Sequence, residues 1–279
     1  MARFYDGKCV FITGASAGIG AALGRELARQ GAQVVLAARR LERLDALRTE
    51  IEAAGGQALS VACDVTDRSS LDAAVDAAAA KFGKIDIVVA NAGFGVTGRF
   101  DRLTTEDFRR QFETNVFGVI ETAYAALAQL KASRGQLCIV SSVMGRMGGP
   151  GSSPYCASKF AIAGLAESLY YDLAQHGIAV TLINPGVVDS DIRRTDNQGV
   201  VHEGLPDTAP SWAIVDTAAA AREIARAIAR RNFEAVITGH GKVVLFVVRH
   251  FPRTFRFIAR KLSAKKLGKV DRRKREESA

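Results

Sequence analysis

The sequence predicts a doubly wound α/β domain, with a seven-stranded parallel sheet flanked by helices. Three observations predict it. Seven short runs of apolar and β-branched residues are nearly continuous in hydrophobicity, as strands buried on both faces require. Longer, Ala-rich stretches of helical period separate them. A cluster of glycines joins the first run to the first helical stretch. Seven strands favour an open sheet over an eight-stranded barrel.

In chain order, the strands are predicted at Cys9–Thr13, Gln33–Ala38, Ala58–Asp64, Ile85–Ala90, Gln136–Ser141, Ala179–Ile183 and Ala235–Thr238. Ile19–Gln30 and Ser69–Phe82 are the clearest helical patterns between them. Composition agrees. The 279 residues are 48% hydrophobic and 24% charged, which suits one large domain and excludes a disordered chain. No apolar run approaches the roughly 20 residues of a membrane-spanning helix; Val243–Val248 is the most continuous in the C-terminal region. The N-terminus lacks an apolar signal core, so a cytoplasmic location is expected. Cys9, Cys63, Cys138 and Cys156 show no metal-ligand spacing and are expected as buried free thiols.

The net charge of +9 is unevenly placed. Residues 242–279 hold 13 Lys/Arg against 3 Asp/Glu, so the preceding 241 residues are close to neutral. The composition shifts after Gly239-His240-Gly241, which divides a domain at 1–241 from a basic extension at 242–279. In that extension Phe251, Phe255, Ile258 and Leu262 recur at helical steps, with Arg249, Arg253, Arg256 and Arg260 on a neighbouring face. A basic, aromatic-bearing helix of this kind suits an anionic membrane surface. A subunit interface or a cover over the cleft are the rival uses. Nucleic acid is not expected, because no groove-reading motif accompanies the charge.

The chemistry begins at Thr13-Gly14-Ala15-Ser16-Ala17-Gly18-Ile19-Gly20. Glycines 14, 18 and 20 let the backbone approach a pyrophosphate and let a helix pack on its strand. The helix N-terminus beyond offers free N–H groups to phosphate. The pattern predicts a Rossmann-type dinucleotide site. After the second strand, where an acidic residue would hold the ribose 2′-hydroxyl of NAD, stands Arg39, followed by Arg40. A guanidinium matches a 2′-phosphate, so NADP(H) is the expected cofactor. Tyr155 and Lys159, at i and i+4, share one helix face. A neighbouring ammonium is expected to lower the phenol's pKa towards the range of acid–base catalysis. Ser142, at a strand end, could bond a substrate carbonyl oxygen.

These motifs resemble the short-chain dehydrogenase/reductase family over about residues 6–241. They fall in the family's order: the glycine motif from Thr13, Asp64, Asn91-Ala92-Gly93, Asn115, Ser142, Tyr155, Lys159 and Pro185-Gly186. The resemblance implies that Tyr155 is the proton donor or base. Lys159 would tune it and bind the nicotinamide ribose, Ser142 would polarise the substrate oxygen, and Asn115 would hold a relay water. It implies cofactor contacts at Gly14, Ser16, Gly18, Ile19, Gly20, Asp64, Val65, Asn91, Gly93, Pro185, Gly186 and Val188. Ser190 stands where the family usually has the threonine that binds the carboxamide. Two departures are Ala17, where many NADP-using members carry a basic residue, and Ala90, where a first asparagine is frequent.

The expected activity is interconversion of a carbonyl and a secondary alcohol, with steroid or long-chain lipid substrates suggested by the basic tail. The alternative is a non-catalytic NADP-binding sensor or scaffold. The resemblance also implies a homodimer or homotetramer. Residues 186–212 form the expected substrate loop; its Asp189 and Asp191 read as solvated. His176, His202, His240 and His250 lack metal spacing and are expected on the surface or in loops, and no metal site is expected. Phe94, Met144, Met147 and Trp212 suit either a lipophilic pocket or ordinary packing.

Overall fold

The computed structural model describes residues 4–193, 195–200, 202 and 209–261. Its sheet contains β1 (Cys9–Thr13), β2 (Gln33–Ala38), β3 (Gln57–Ala62), β4 (Ile87–Ala90), β5 (Gln136–Val140), β6 (Ala179–Pro185) and β7 (Glu234–Ile237). The spatial order is β3-β2-β1-β4-β5-β6-β7, and every neighbouring pair is parallel. The predicted seven-stranded doubly wound sheet is therefore present.

The helices are α1 (Gly18–Arg29), α2 (Leu41–Ala53), α3 (Arg68–Phe82), α4 (Thr105–Phe112), α5 (Gly118–Ser133), α6 (Ser153–Ala174), α7 (Thr217–Arg230) and α8 (Gly239–His250). Strand alternation feeds two cores. Val10 and Ile12 of β1 join Leu23 and Leu27 of α1, Leu44 of α2 and Ile224 and Ile228 of α7. Cys9 and Phe11 face the other way, onto Leu71 of α3, Val119 and Leu130 of α5 and Ile162 of α6. The continuous hydrophobicity of the strands follows from this double burial.

Strand ends are set by side chains that divert the backbone. β3 stops at Ala62, before the predicted Asp64, whose carboxylate accepts the Thr66 N–H at 3.0 Å and turns the chain. β4 starts at Ile87 because the preceding Asp86 takes the Cys9 N–H on its own carboxylate, at 2.9 Å. Asp67 caps α3 by accepting from the Ser69 and Ser70 N–H groups. All four cysteines are buried and free, and burial pushes each thiol pKa up, Cys63 to about 11. Such thiols are inert at neutral pH.

The chain reverses its winding direction between β1 and β4, where ligands of open α/β sheets bind at the strands' carboxyl ends. α8 runs through position 241, where the composition shifts, and residues 252–261 continue as helix. No helix among the described residues is long and apolar enough to cross a membrane.

Candidate active site

A cleft of about 1270 Å³ opens at the carboxyl ends of the strands. The Gly14 turn and the α1 N-terminus form its floor. Gly14 has φ +67, and a Cβ there would stand 2.7 Å from the Ala92 Cα. Gly20 faces inward instead and does not line the cleft. A Cβ on it would strike the Gly14 carbonyl oxygen, so its role is close packing of α1 on the turn. Ala17 gives α1 no side-chain cap, which leaves the first N–H groups of the helix for a ligand. The Asn91 amide donates to the Thr13 and Gly14 carbonyls at 2.9 and 3.3 Å, tying β4 to the glycine turn. The Thr13 hydroxyl repays the link by accepting the Asn91 and Ala92 N–H groups.

One end of the cleft is basic. Arg40 donates to the Ser16 Oγ from Nε (3.2 Å) and Nη2 (2.9 Å), so the guanidinium is held against the glycine turn. Arg39 beside it is exposed. Arg43 meets Asp191 at 3.6 Å across the mouth, so that carboxylate is paired rather than simply solvated. Asp64 and Val65 line the next wall.

At the other end Ser142, Tyr155 and Lys159 converge on the same cavity. Lys159 is 5% exposed and donates from Nζ to the Val140 carbonyl at 2.9 Å. Burial lowers its pKa from 10.5 to about 8. Burial also dominates Tyr155 and raises its phenol, against a smaller lowering by the Ser142 hydrogen bond. Burial thus outweighs any lowering by Lys159, and the phenol is not brought down as the sequence led one to expect. The Lys159 Nζ lies 5.7 Å from the ring centroid, and desolvation is the larger effect.

Asn115 is fully buried behind the cleft wall, not in it. It sits in a π-helical turn, Glu113–Phe117, a distortion that re-aims a side chain. Its amide exchanges hydrogen bonds with the Phe94 N–H (3.1 Å) and carbonyl (3.0 Å), and donates to Ser158 Oγ at 3.2 Å. A Cβ on Gly93 would lie 3.0 Å from Asn115 Oδ1 and 3.8 Å from Lys159 Nζ, so the glycine keeps the space between those groups open.

Pro185, Gly186, Val188 and Ser190 form the opposite wall. Phe94, Met144 and Met147 line the cavity, whereas Trp212 is 81% exposed and outside it. His240 departs from expectation. It lies in the first turn of α8, lines the cleft and accepts the Val187 N–H on Nε2 at 3.1 Å. Among the described residues there is no cluster able to hold a metal ion.

The sequence profile described as short chain dehydrogenase matches residues 8–200. The chain belongs to that family. It is accordingly an oxidoreductase acting between carbonyl and alcohol with a nicotinamide cofactor. It is similar to the 3-oxoacyl-acyl-carrier-protein reductase of Escherichia coli K12, 32% identical over 240 residues, covering 84% of this chain and 94% of that one. It is 35% identical over 187 residues to the 7alpha-hydroxysteroid dehydrogenase of the same strain, covering 67% and 73%. Among solved structures, a Burkholderia phymatum short chain dehydrogenase/reductase in complex with NAD superposes with TM-score 0.79 at 26% identity, covering 88% and 94%. A Thermococcus sibiricus alcohol dehydrogenase complexed with 5-hydroxy-NADP gives 0.71 at 27%, covering 82% and 95%.

Proposed function

We propose that this short-chain dehydrogenase is an NADP(H)-dependent reductase of lipophilic ketones. The observation that carries the reading is one continuous cleft with Ser142, Tyr155 and Lys159 at one end and Arg39 and Arg40 at the other. The site fits a dinucleotide. Gly14 leaves backbone bare where a side chain would collide, and the uncapped α1 suits the pyrophosphate. Gly18 and Ile19 extend that phosphate cradle, and Asp64 and Val65 flank the adenine. Arg40, held on Ser16, and exposed Arg39 would take a 2′-phosphate. Asn91, Gly93, Pro185, Gly186, Val188 and Ser190 enclose the nicotinamide end.

A nicotinamide bound there supplies or accepts the hydride. Tyr155 gives its phenolic proton to the carbonyl oxygen in reduction and takes it back in oxidation. Ser142 donates to the same oxygen, fixing the carbonyl against Tyr155. Lys159 as an ammonium stabilises the phenolate that results and holds the ribose hydroxyls. Asn115 anchors a water in the space beside Gly93, through which the proton is replaced. Phe94, Met144 and Met147 offer an apolar wall to the substrate, which is consistent with relatives named for 3-oxoacyl and hydroxysteroid substrates.

The test is Tyr155→Phe. The variant loses turnover by about a thousandfold, within the usual worth of general acid catalysis, while binding NADPH as tightly as the wild type. Retained turnover overturns the mechanism.

Two further readings concern partners. Tyr124 of α5 and Phe160, Tyr170 and Tyr171 of α6 are large, exposed and aromatic, which supports a homo-oligomer closed through those helices. The helical segment beyond Thr238 supports a peripheral place on an anionic membrane, as part of an extension appended to the catalytic unit 1–241.

A further inference from the structure

We infer that His240 is a positioning residue for the nicotinamide end of the cleft, acting through the Gly186–Val187 backbone. The inference rests on the reading above that Pro185–Ser190 faces the nicotinamide.

The Val187 peptide groups are clamped from two sides. The Val187 N–H donates to His240 Nε2 at 3.1 Å, and the Val187 carbonyl accepts the Val215 N–H at 2.9 Å. One anchor comes from α8 and the other from the segment entering α7. Gly186 approaches so closely that a Cβ on it would lie 2.5 Å from His240 Nε2. Beyond Val187 the chain reaches Ser190, whose Cβ would be 3.2 Å from a Cβ on Gly18. Holding Val187 therefore sets how this wall meets the glycine turn across the cleft. Nε2 must be unprotonated to accept, which assigns the ring proton to Nδ1.

The ring's placement comes with backbone strain. Thr238 joins β7 to α8 at φ +99 and ψ 135, a region that β-branched residues rarely occupy. Its hydroxyl caps α8 by accepting the Gly241 N–H at 3.2 Å and lies 3.3 Å from His240 Nε2. Its own N–H donates to Glu223 of α7 at 3.4 Å. A junction that only continued the chain would need no such conformation. Here it delivers one imidazole nitrogen to one backbone amide beside the reacting groups.

Two variants test this. H240F fills the ring's space without an acceptor, whereas H240Q offers an oxygen near the Nε2 position. Affinity is measured for NADPH, with NADH in parallel, and for 2′-phospho-ADP-ribose, which lacks the nicotinamide; melting temperature is followed alongside. H240F should bind NADPH about tenfold more weakly, of the order of one lost hydrogen bond. Its affinity for phospho-ADP-ribose should match the wild type, and H240Q should restore NADPH binding to within about threefold. Equal NADPH binding by H240F and wild type overturns the role. Equal weakening towards both ligands also overturns it, showing a general structural defect. A wild type that binds neither dinucleotide overturns the cofactor reading itself, and this inference with it.

Discussion

Lys159 shows how chemistry and stability oppose each other at a single residue. Its ammonium is buried and donates to the Val140 carbonyl, and desolvation brings its pKa to about 8. Between about pH 8 and 10.5 the unfolded chain holds more protons at this position than the folded one. The stabilising contribution is thus present above 10.5 and lost as pH falls through about 8. At neutral pH the charged group costs stability. Lys159→Met should abolish turnover yet raise the melting temperature at pH 7 by a few degrees, the gap narrowing towards pH 10 in thermal scans. A variant less stable than wild type at pH 7 contradicts the argument. The same value sets activity: reduction should decline above about pH 8 as the ammonium is lost. Tyr155, Lys159 and Ser142 stood out in the sequence only beside the glycine motif and in the family's order, since an i, i+4 pair alone is commonplace on helix surfaces; the structure brings the three to one cleft. His240 did not stand out. A histidine after Thr-Gly looks like a turn, and neither the positive φ of Thr238 nor the approach of Gly186 leaves a local signal.

Among the elements, β1 and β2 have the predicted limits because their apolar runs end abruptly, at Gly14 and at Arg39. β3 ends and β4 begins two residues inside the predicted limits, where Asp64 and Asp86 engage their surroundings, a tertiary choice that hydrophobicity cannot report. The π-helical turn at Asn115 likewise has no counterpart among the sequence expectations. In the C-terminal extension Phe255 and Ile258, with Arg253, Arg256 and Arg260, lie on the helix at 252–261, Phe257 stands exposed beside that set, and Leu262 lies outside the described residues. Val243, Phe246, Phe251, Phe257 and Ile258 are all exposed, and no acidic residue occurs from Lys242 to Lys261. Such a surface should sediment with phosphatidylglycerol vesicles and not with phosphatidylcholine vesicles, and high salt should release it. Equal behaviour towards both lipids would refute the membrane reading.

For the molecule as a whole, the sheet buries its strands between two helical layers and leaves aromatic side chains standing on α5 and α6. Sedimentation velocity should therefore give at least a dimer, and Tyr124→Glu with Tyr171→Glu should reduce it to monomer; a monomeric wild type would remove that reading. The reversal of winding between β1 and β4 places the glycine turn, the arginines and the tyrosine along one cleft. That arrangement leads to the central claim, an NADP(H)-linked carbonyl reductase. Its most direct test is kcat/KM for NADPH against NADH in reducing a 3-oxoacyl ester or a steroid ketone. At least a tenfold preference for NADPH is expected, since charge-assisted bonds to a phosphate are worth about 1.5–3 kcal/mol, and the preference should vanish in R39A/R40A. Equal or faster turnover with NADH in the wild type would contradict it.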